Sequence, residues 1–252
     1  MGALHAGHLA LVQRARQECD VVAASVFVNP LQFNDPADLA RYPRQPEEDR
    51  RLLQEAGCDM LLMPEGERLM AHLPELPFDL GPLGTVLEGA SRPGHFQGVV
   101  QVVERLFHFV RPDMAFFGEK DRQQLAVVRR AAKQLRWPVA IIGCPTVRAA
   151  DGLALSSRNA RLDPAQRQEA TVLYRALMAV AATAPQGTLE EALRSGLNVL
   201  AQVPSVEVDY LVIARPEDLQ PMSGWDGLHQ AVALVAARVG PVRLIDNMTI
   251  DR

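Results

Sequence analysis

Residues 7–30 read GHLALVQRARQECDVVAASVFVNP, and their order decides the fold class. Leu9, Leu11, Val12 and Ala15 recur at helical spacing between Gly7 and Glu18, which predicts a helix with one apolar face. Val21 to Val28 is then a β-branched, apolar run stopped by Asn29-Pro30, which predicts a strand. A helix feeding such a strand is half of a parallel α/β unit.

The same alternation continues outward. Pro46 at a first helical position, Glu47 and Glu48 in the first turn and Gly57 as a stop frame a second helix, followed by a strand at Met60 to Met63. A helix from about Gln97 to Val110, a strand from Met114 to Phe117, a helix from Arg122 to Leu135 and a strand from Val139 to Ile142 complete the series. Strands that are apolar on both faces and alternate with helices imply a parallel sheet covered on two sides. After about Val147 the style changes. Asp163-Pro164 with Gln166 opens a long helix to about Ala182, and Thr188 with Glu191 forms a capping box for another. Three strand-like runs follow at Val206 to Ile213, Val232 to Val239 and Val242 to Ile250. The expected organisation is an α/β domain over 1–147 and a small α+β domain over 148–252.

Charge narrows the function classes. Lys and Arg total 26 against 30 Asp and Glu, a net charge of −4, so no overall basic field draws nucleic acid or anionic lipid. No charge-free run is longer than Val21 to Asn34, which contains a proline and falls short of the about 18 to 20 apolar residues of a membrane span. Cys19, Cys58 and Cys144 are odd in number, which argues against a disulfide framework and for a cytoplasmic protein.

Four short segments carry chemistry. His5-Ala6-Gly7-His8 opens the first helix, where free N–H groups and the helix dipole favour an anion and two imidazoles add donors; an incidental surface pair has the same spacing. Ser156-Ser157-Arg158-Asn159 offers two hydroxyls and a guanidinium to a polyphosphate, or is a polar linker. Phe117-Gly118-Glu119-Lys120-Asp121, with Gln123 and Gln124 beyond it, lies where a parallel strand ends, the ligand-binding edge of open α/β sheets; a plain capping turn competes. Val28-Asn29-Pro30-Leu31-Gln32-Phe33 ends another strand, where an ordinary turn also fits. Three of the four fall on one rim of one sheet, and the fourth can close over it. Neither G-x-x-x-x-G-K-[ST] nor G-x-G-x-x-G occurs, so kinase and dehydrogenase readings lack their required parts.

Taken together with Met1-Gly2-Ala3-Leu4, Tyr42-Pro43-Arg44 and Arg92-Pro93-Gly94-His95-Phe96, these segments resemble the pantothenate synthetase family in order and spacing over nearly the whole chain. The resemblance implies a Rossmann-like nucleotidyltransferase domain and a C-terminal lid domain carrying the serine-arginine loop, with Leu155 where many members have Met. It implies that ATP and pantoate give pantoyl adenylate and pyrophosphate, after which beta-alanine displaces AMP to form pantothenate. Catalytic roles pass to His8, His5, Lys120, Ser156, Ser157 and Arg158. ATP contacts pass to Met1, Gly2, Ala3, Leu4, His5, Ala6, Gly7, His8, Gly118, Glu119, Lys120, Asp121, Val147, Leu155, Ser156, Ser157 and Arg158. Gln32 and Gln124 match the glutamines that hold pantoate. Mg²⁺ comes with ATP; Glu48 and Asp49 are candidate ligands whose alternative is a solvated helix face. A homodimer is the family's usual state.

Two rivals stay open at this stage: another adenylyl- or cytidylyltransferase with the same histidines, and a nucleotide-binding protein without activity. The family pattern also has a strand ending in Pro-Thr ahead of the position of Met1. The expectation is therefore that the first strand is missing, that the functional form begins about 20 to 30 residues upstream, and that the 252-residue form is unstable or weakly active.

Overall fold

A computed structural model describes residues 2–33, 36–71 and 76–252. The chain divides into two compact units, Met1–Val147 and Arg148–Arg252.

In the first unit the elements run α1 (Ala6–Glu18), β1 (Ala23–Ser25), α2 (Pro36–Arg41), α3 (Pro46–Glu55), β2 (Met60–Leu62), α4 (Gly66–Met70), α5 (Leu87–Ser91), α6 (His95–Val110), β3 (Met114–Gly118), α7 (Arg122–Gln134) and β4 (Ala140–Cys144). The expected strands are parallel, but among the described residues they form two pairs rather than one sheet. β1 pairs with β2 from Ala23↔Met60 to Ser25↔Leu62, and β3 pairs with β4 from Met114↔Ala140 to Gly118↔Cys144. The expected strand from Val21 to Val28 shrinks to three paired residues. Pairing frays gradually: Val26 N–H still donates to the Leu62 carbonyl at 2.9 Å, and Asn29 then turns the chain into a short 3-10 helix, Pro30–Gln32.

Apolar burial explains why α1 lies where it does. Val12 and Ala15 on its inner face are buried with Leu4, Val22, Ala24 and Leu53, and Phe116 of β3 packs against the same cluster. On the other side, α6 buries Phe96, Val99, Val100 and Val102, while α7 buries Leu125, Val127, Val128 and Ala131. These helices pack beside the carboxyl ends of β1 and β3, which lead into Gln32 and the Gly118–Asp121 turn.

The second unit contains α8 (Pro164–Glu169), α9 (Thr171–Thr183), α10 (Leu189–Leu200) and an antiparallel sheet β5 (Val206–Ala214), β6 (Gln230–Val239), β7 (Val242–Asp251). The single helix expected from Pro164 to Ala182 is two. Thr171 is buried and its hydroxyl donates to the Gln168 carbonyl at 2.7 Å, a local bond that competes with the regular ladder; the following Leu173 N–H bonds to Ala170 instead of to the carbonyl four residues back. The capping boxes at Asp163/Gln166 and Thr188/Glu191 form as expected. β6 is buried along almost its whole length, and Val172, Leu173, Ala176, Leu177 and Val180 of α9 complete the core of this unit.

Candidate active site

Helix α1 begins with a cap made of two imidazoles. His5 is the N-cap residue, and its Nδ1 accepts from the Gly7 N–H at 3.1 Å. His8 answers in the other direction: its Nδ1 accepts from the His5 N–H at 3.3 Å, and the two rings lie 4.1 Å apart. A ring nitrogen that accepts a backbone N–H carries no proton, so both neutral rings hold theirs on Nε2. Each ring therefore keeps an Nε2–H donor that the cap itself does not use. Burial pushes the His8 pKa down to about 3, helped by the neighbouring His5 ring; burial and then the Lys120 ammonium lower that of His5. The positive end of the helix dipole acts in the same sense. The pair is neutral at neutral pH.

The turn ahead of this cap is held from a distance in sequence. Asp49, on the first turn of α3 and almost fully buried, accepts from Ala3 N–H at 3.0 Å and from Leu4 N–H at 2.7 Å. Ala3 adopts a left-handed φ of 49°, a conformation that L-residues avoid unless their surroundings require it. Asp49 supplies that requirement. Its carboxylate is thus engaged by amides, and Glu48 is exposed and bonded to Arg51 at 2.6 and 2.8 Å. Both candidate Mg²⁺ ligands are accounted for by structure, and among the described residues no group of three or more His, Cys, Asp and Glu could hold a metal ion.

At the end of β3 comes the 3-10 turn Glu119–Asp121. Lys120 is mostly buried, with Nζ 3.7 Å from the Asp121 carboxylate. Both charges act on the His5 and His8 rings, the ammonium lowering and the carboxylate raising their pKa values. A Cβ placed on Gly118 would meet nothing within 4 Å, so open space adjoins the backbone there. Gln123, buried, clamps the preceding loop by donating to Leu83 and Val86 carbonyls at 2.8 and 2.9 Å and accepting from Glu88 N–H at 3.0 Å. Gln124 beside it is only half-buried.

Gln32 ends the 3-10 helix after β1. Asn29, buried, accepts from Leu31 N–H at 3.0 Å and donates to the Gly98 carbonyl at 3.2 Å, while a side chain on Gly98 would collide with Leu31 at 2.4 Å. α6 therefore presses directly on this turn. Arg92 donates to the Gln32 carbonyl, and His95 Nδ1 does so at 3.1 Å. Because a carbonyl only accepts, His95 carries its proton on Nδ1, the opposite tautomer from His5 and His8. Burial, then the Arg92 charge, brings its pKa down to about 4. Asp121 acts on this ring as well, so His5, His8, His95, Lys120 and Asp121 belong to one electrostatic cluster.

Leu155, Ser156, Ser157 and Arg158 lie half-buried in the second unit. Ser156 Oγ accepts from the Arg158 N–H at 3.2 Å and caps a short 3-10 helix, Ser157–Arg161. Gly2 is buried, Ala6 exposed, and Val147 half-buried at the end of the first unit. Met1 lies outside the described residues. The motif alone gives Arg92 and His95 no role, and Asp49, a candidate metal ligand by sequence, instead holds the turn before α1. The signal available for Asp49 was an acidic residue one turn inside a helix, which describes many exposed positions equally well.

A parallel α/β unit with paired imidazoles at the start of its first helix and a lysine in the turn after β3 has the layout of the nucleotide-using, phosphate-handling enzymes. Residues 1–249 match the family model described as pantoate-beta-alanine ligase, and the chain belongs to that family. It is 53% identical over 252 residues to a pantothenate synthetase of Thermus thermophilus, covering 99% of this chain and 91% of that protein. It is 44% identical over 252 residues to one of Cytophaga hutchinsonii, covering 99% and 89%. A crystal structure of pantothenate synthetase from Thermus thermophilus superposes with a TM-score of 0.94 at 54% identity, covering 98% of this chain and 90% of that one. A Francisella tularensis pantoate-beta-alanine ligase, solved with beta-gamma ATP and beta-alanine, does so with a TM-score of 0.77 at 33% identity, covering 98% and 86%. The chain is thus an enzyme of pantothenate formation.

Proposed function

We propose that the chain joins pantoate to beta-alanine in two half-reactions driven by ATP. A pantoate carboxylate oxygen attacks the α-phosphorus of ATP, the bond to the bridging oxygen breaks, and pyrophosphate leaves with the electron pair. The neutral amine of beta-alanine then attacks the acyl carbon of the adenylate, AMP departs, and the amine gives up a proton. A carboxylate with a pKa near 4 is already ionised at neutral pH, so the first step needs alignment and charge stabilisation rather than a base.

In this reading His8, with His5 beside it, donates Nε2–H bonds to the α-phosphoryl oxygens as charge builds on them, and Lys120, Ser156, Ser157 and Arg158 hold the departing pyrophosphate. Gly2 to Gly7, Gly118, Glu119, Asp121, Val147 and Leu155 contact the nucleotide. Gln32 and Gln124 hold pantoate, neutral amides being suited to a hydroxy acid through their donors and acceptors. Mg²⁺ enters as part of the ATP substrate. The observation that carries the proposal is the double imidazole cap: two neutral rings whose Nδ1 atoms are occupied by backbone amides and whose Nε2–H donors are free of the helix. A homodimer acting in the cytoplasm fits the family and the three cysteines without a disulfide; no helix among the described residues is long and apolar enough to cross a membrane.

The test is AMP release measured with each substrate omitted in turn. The proposal predicts release only when ATP, pantoate and beta-alanine are all present, and pyrophosphate exchange into ATP with pantoate alone. Exchange supported equally by unrelated acids would point instead to a different adenylating enzyme.

A further inference from the structure

Resting on the reading that Ser156, Ser157 and Arg158 hold the departing pyrophosphate, we propose that the Arg148–Asp246 pair is a positioning clamp for that loop. The hairpin from Arg148 to Ala154 leads straight into Leu155, closed by an antiparallel bridge between Arg148 and Ala154 and by Ala149 N–H donating to Leu153 at 2.9 Å. Arg148 grips Asp246 of β7 in a two-pronged pair, Nη1 to Oδ2 at 2.6 Å and Nη2 to Oδ1 at 3.0 Å. The same guanidinium donates to the Gly152 carbonyl at 3.1 Å and to the Asn247 carbonyl at 3.0 Å. Its face lies 4.8 Å from the centre of the Tyr174 ring of α9. The Asp246 side chain is 2% exposed and that of Arg148 18%.

The same ring sets the hairpin's tip. Gly152 has a φ of 88°, and a Cβ there would sit 1.9 Å from Tyr174 Cδ1, so only glycine permits the backbone to lie against the ring. Asp151 beside it is paired with Arg167 of α8 at 2.8 and 3.0 Å. At the other end Asn159 Nδ2 donates to the Ala154 carbonyl at 3.0 Å, tying the loop back to the hairpin.

Stability alone does not account for such an arrangement. Removing two charges from water costs about as much as their attraction returns, and an apolar pair of equal volume holds elements together as well or better. What an apolar pair lacks is direction. A planar guanidinium with two carboxylate bonds, two carbonyl bonds and a stacked ring fixes the angle at which the hairpin leaves β7 and α9, and with it the place where Ser156 begins.

The test replaces the charge pair by an apolar one, Arg148→Met with Asp246→Leu, beside the single variant Asp246→Asn. The clamp predicts a double variant that melts near the wild-type temperature, keeps the wild-type KM for pantoate, and loses about tenfold to a hundredfold in pantoate-dependent pyrophosphate exchange, as misplaced contact groups do. A folded double variant that exchanges at the wild-type rate overturns the clamp. If the double variant does not fold, Asp246→Asn decides by the same rate. If wild-type protein shows no exchange with pantoate, the functional reading fails on its own. The clamp is then judged by MgATP affinity, expected about tenfold weaker in Asp246→Asn and overturned by an unchanged value.

Discussion

The turn ahead of α1 and the loop after the Arg148 hairpin are both irregular backbone, and the two are held and equipped in opposite ways. Asp49, a buried anion, grips two amides of the turn, and the turn presents uncharged imidazoles. Arg148, a cation, is paired with Asp246 and grips two carbonyls, and the loop that follows presents hydroxyls and the guanidinium of Arg158. Each anchor matches the irregular backbone it holds: the two amides of the turn call for an acceptor, and the Gly152 carbonyl of the hairpin calls for a donor, the Asn247 carbonyl of β7 serving as a second hold. The difference separates two kinds of sensitivity. The uncharged rings are insensitive to salt, but protonation of their own Nδ1 atoms would break the cap they form, whereas the cationic loop is indifferent to mild acid and is weakened by ionic screening.

The largest effect belongs to His8. His8→Ala is expected to lower pantoate-dependent pyrophosphate exchange by about 10²-fold or more while the protein stays folded with only the modest loss of one cap acceptor, because Val12 and Ala15 anchor the helix from its other face. Wild-type exchange in this variant would remove His8 from the chemistry. Asp49→Ala should rank next. It takes the acceptor from two amides, and a buried amide left unsatisfied costs on the order of 1 to 3 kcal/mol. Thermal stability and ATP affinity should therefore fall together, with the Mg²⁺ concentration for half-maximal rate unchanged. A shift in that Mg²⁺ requirement alone would return Asp49 to the metal.

Much of this architecture was legible in the sequence where the signal is local. Periodicity and caps placed α1, α3, α6, α7 and α10 within a few residues, since Pro46, Thr188 and Glu191 act on their own helix. The break at Ala170 escaped because no Gly or Pro marks it between Ala165 and Ala184. The strands' extents escaped because pairing depends on a partner chain segment that composition does not name. Asp49 lies 45 and 46 residues from the amides it holds, and Arg148 lies 98 from Asp246. Contacts across such distances leave no periodic trace in the sequence, so both anchors became visible only in three dimensions.

A smaller effect is expected for Gln124→Ala. A neutral hydrogen bond contributes about 1 kcal/mol net, rising to about 1 to 3 kcal/mol when a buried partner is stranded, so the KM for pantoate should rise several-fold more than the KM for ATP. Equal rises would mean that the turn at Gly118 to Asp121 had shifted as a whole. The mildest effect is on stability in weak acid. His8, His95 and His5 have folded pKa values below their ordinary 6.5, at about 3 and about 4 for the first two. Below pH 6.5 the unfolded chain takes up protons that the folded chain refuses, so stability falls as the pH drops toward 4 and is unaffected by these groups above 7. Urea midpoints at pH 7.5 and pH 5 should differ in that direction, and His8→Gln should reduce the difference.

Ring-nitrogen NMR on protein labelled with ¹⁵N at histidine tests the central claim most directly, since it reports charge and tautomer together. At pH 6 the expected result is a neutral His8 ring with the proton on Nε2 and a neutral His95 with the proton on Nδ1, and at pH 7.5 a His5 ring with its proton on Nε2. A His8 ring that titrates near 6.5, or that carries its proton on Nδ1, would contradict it.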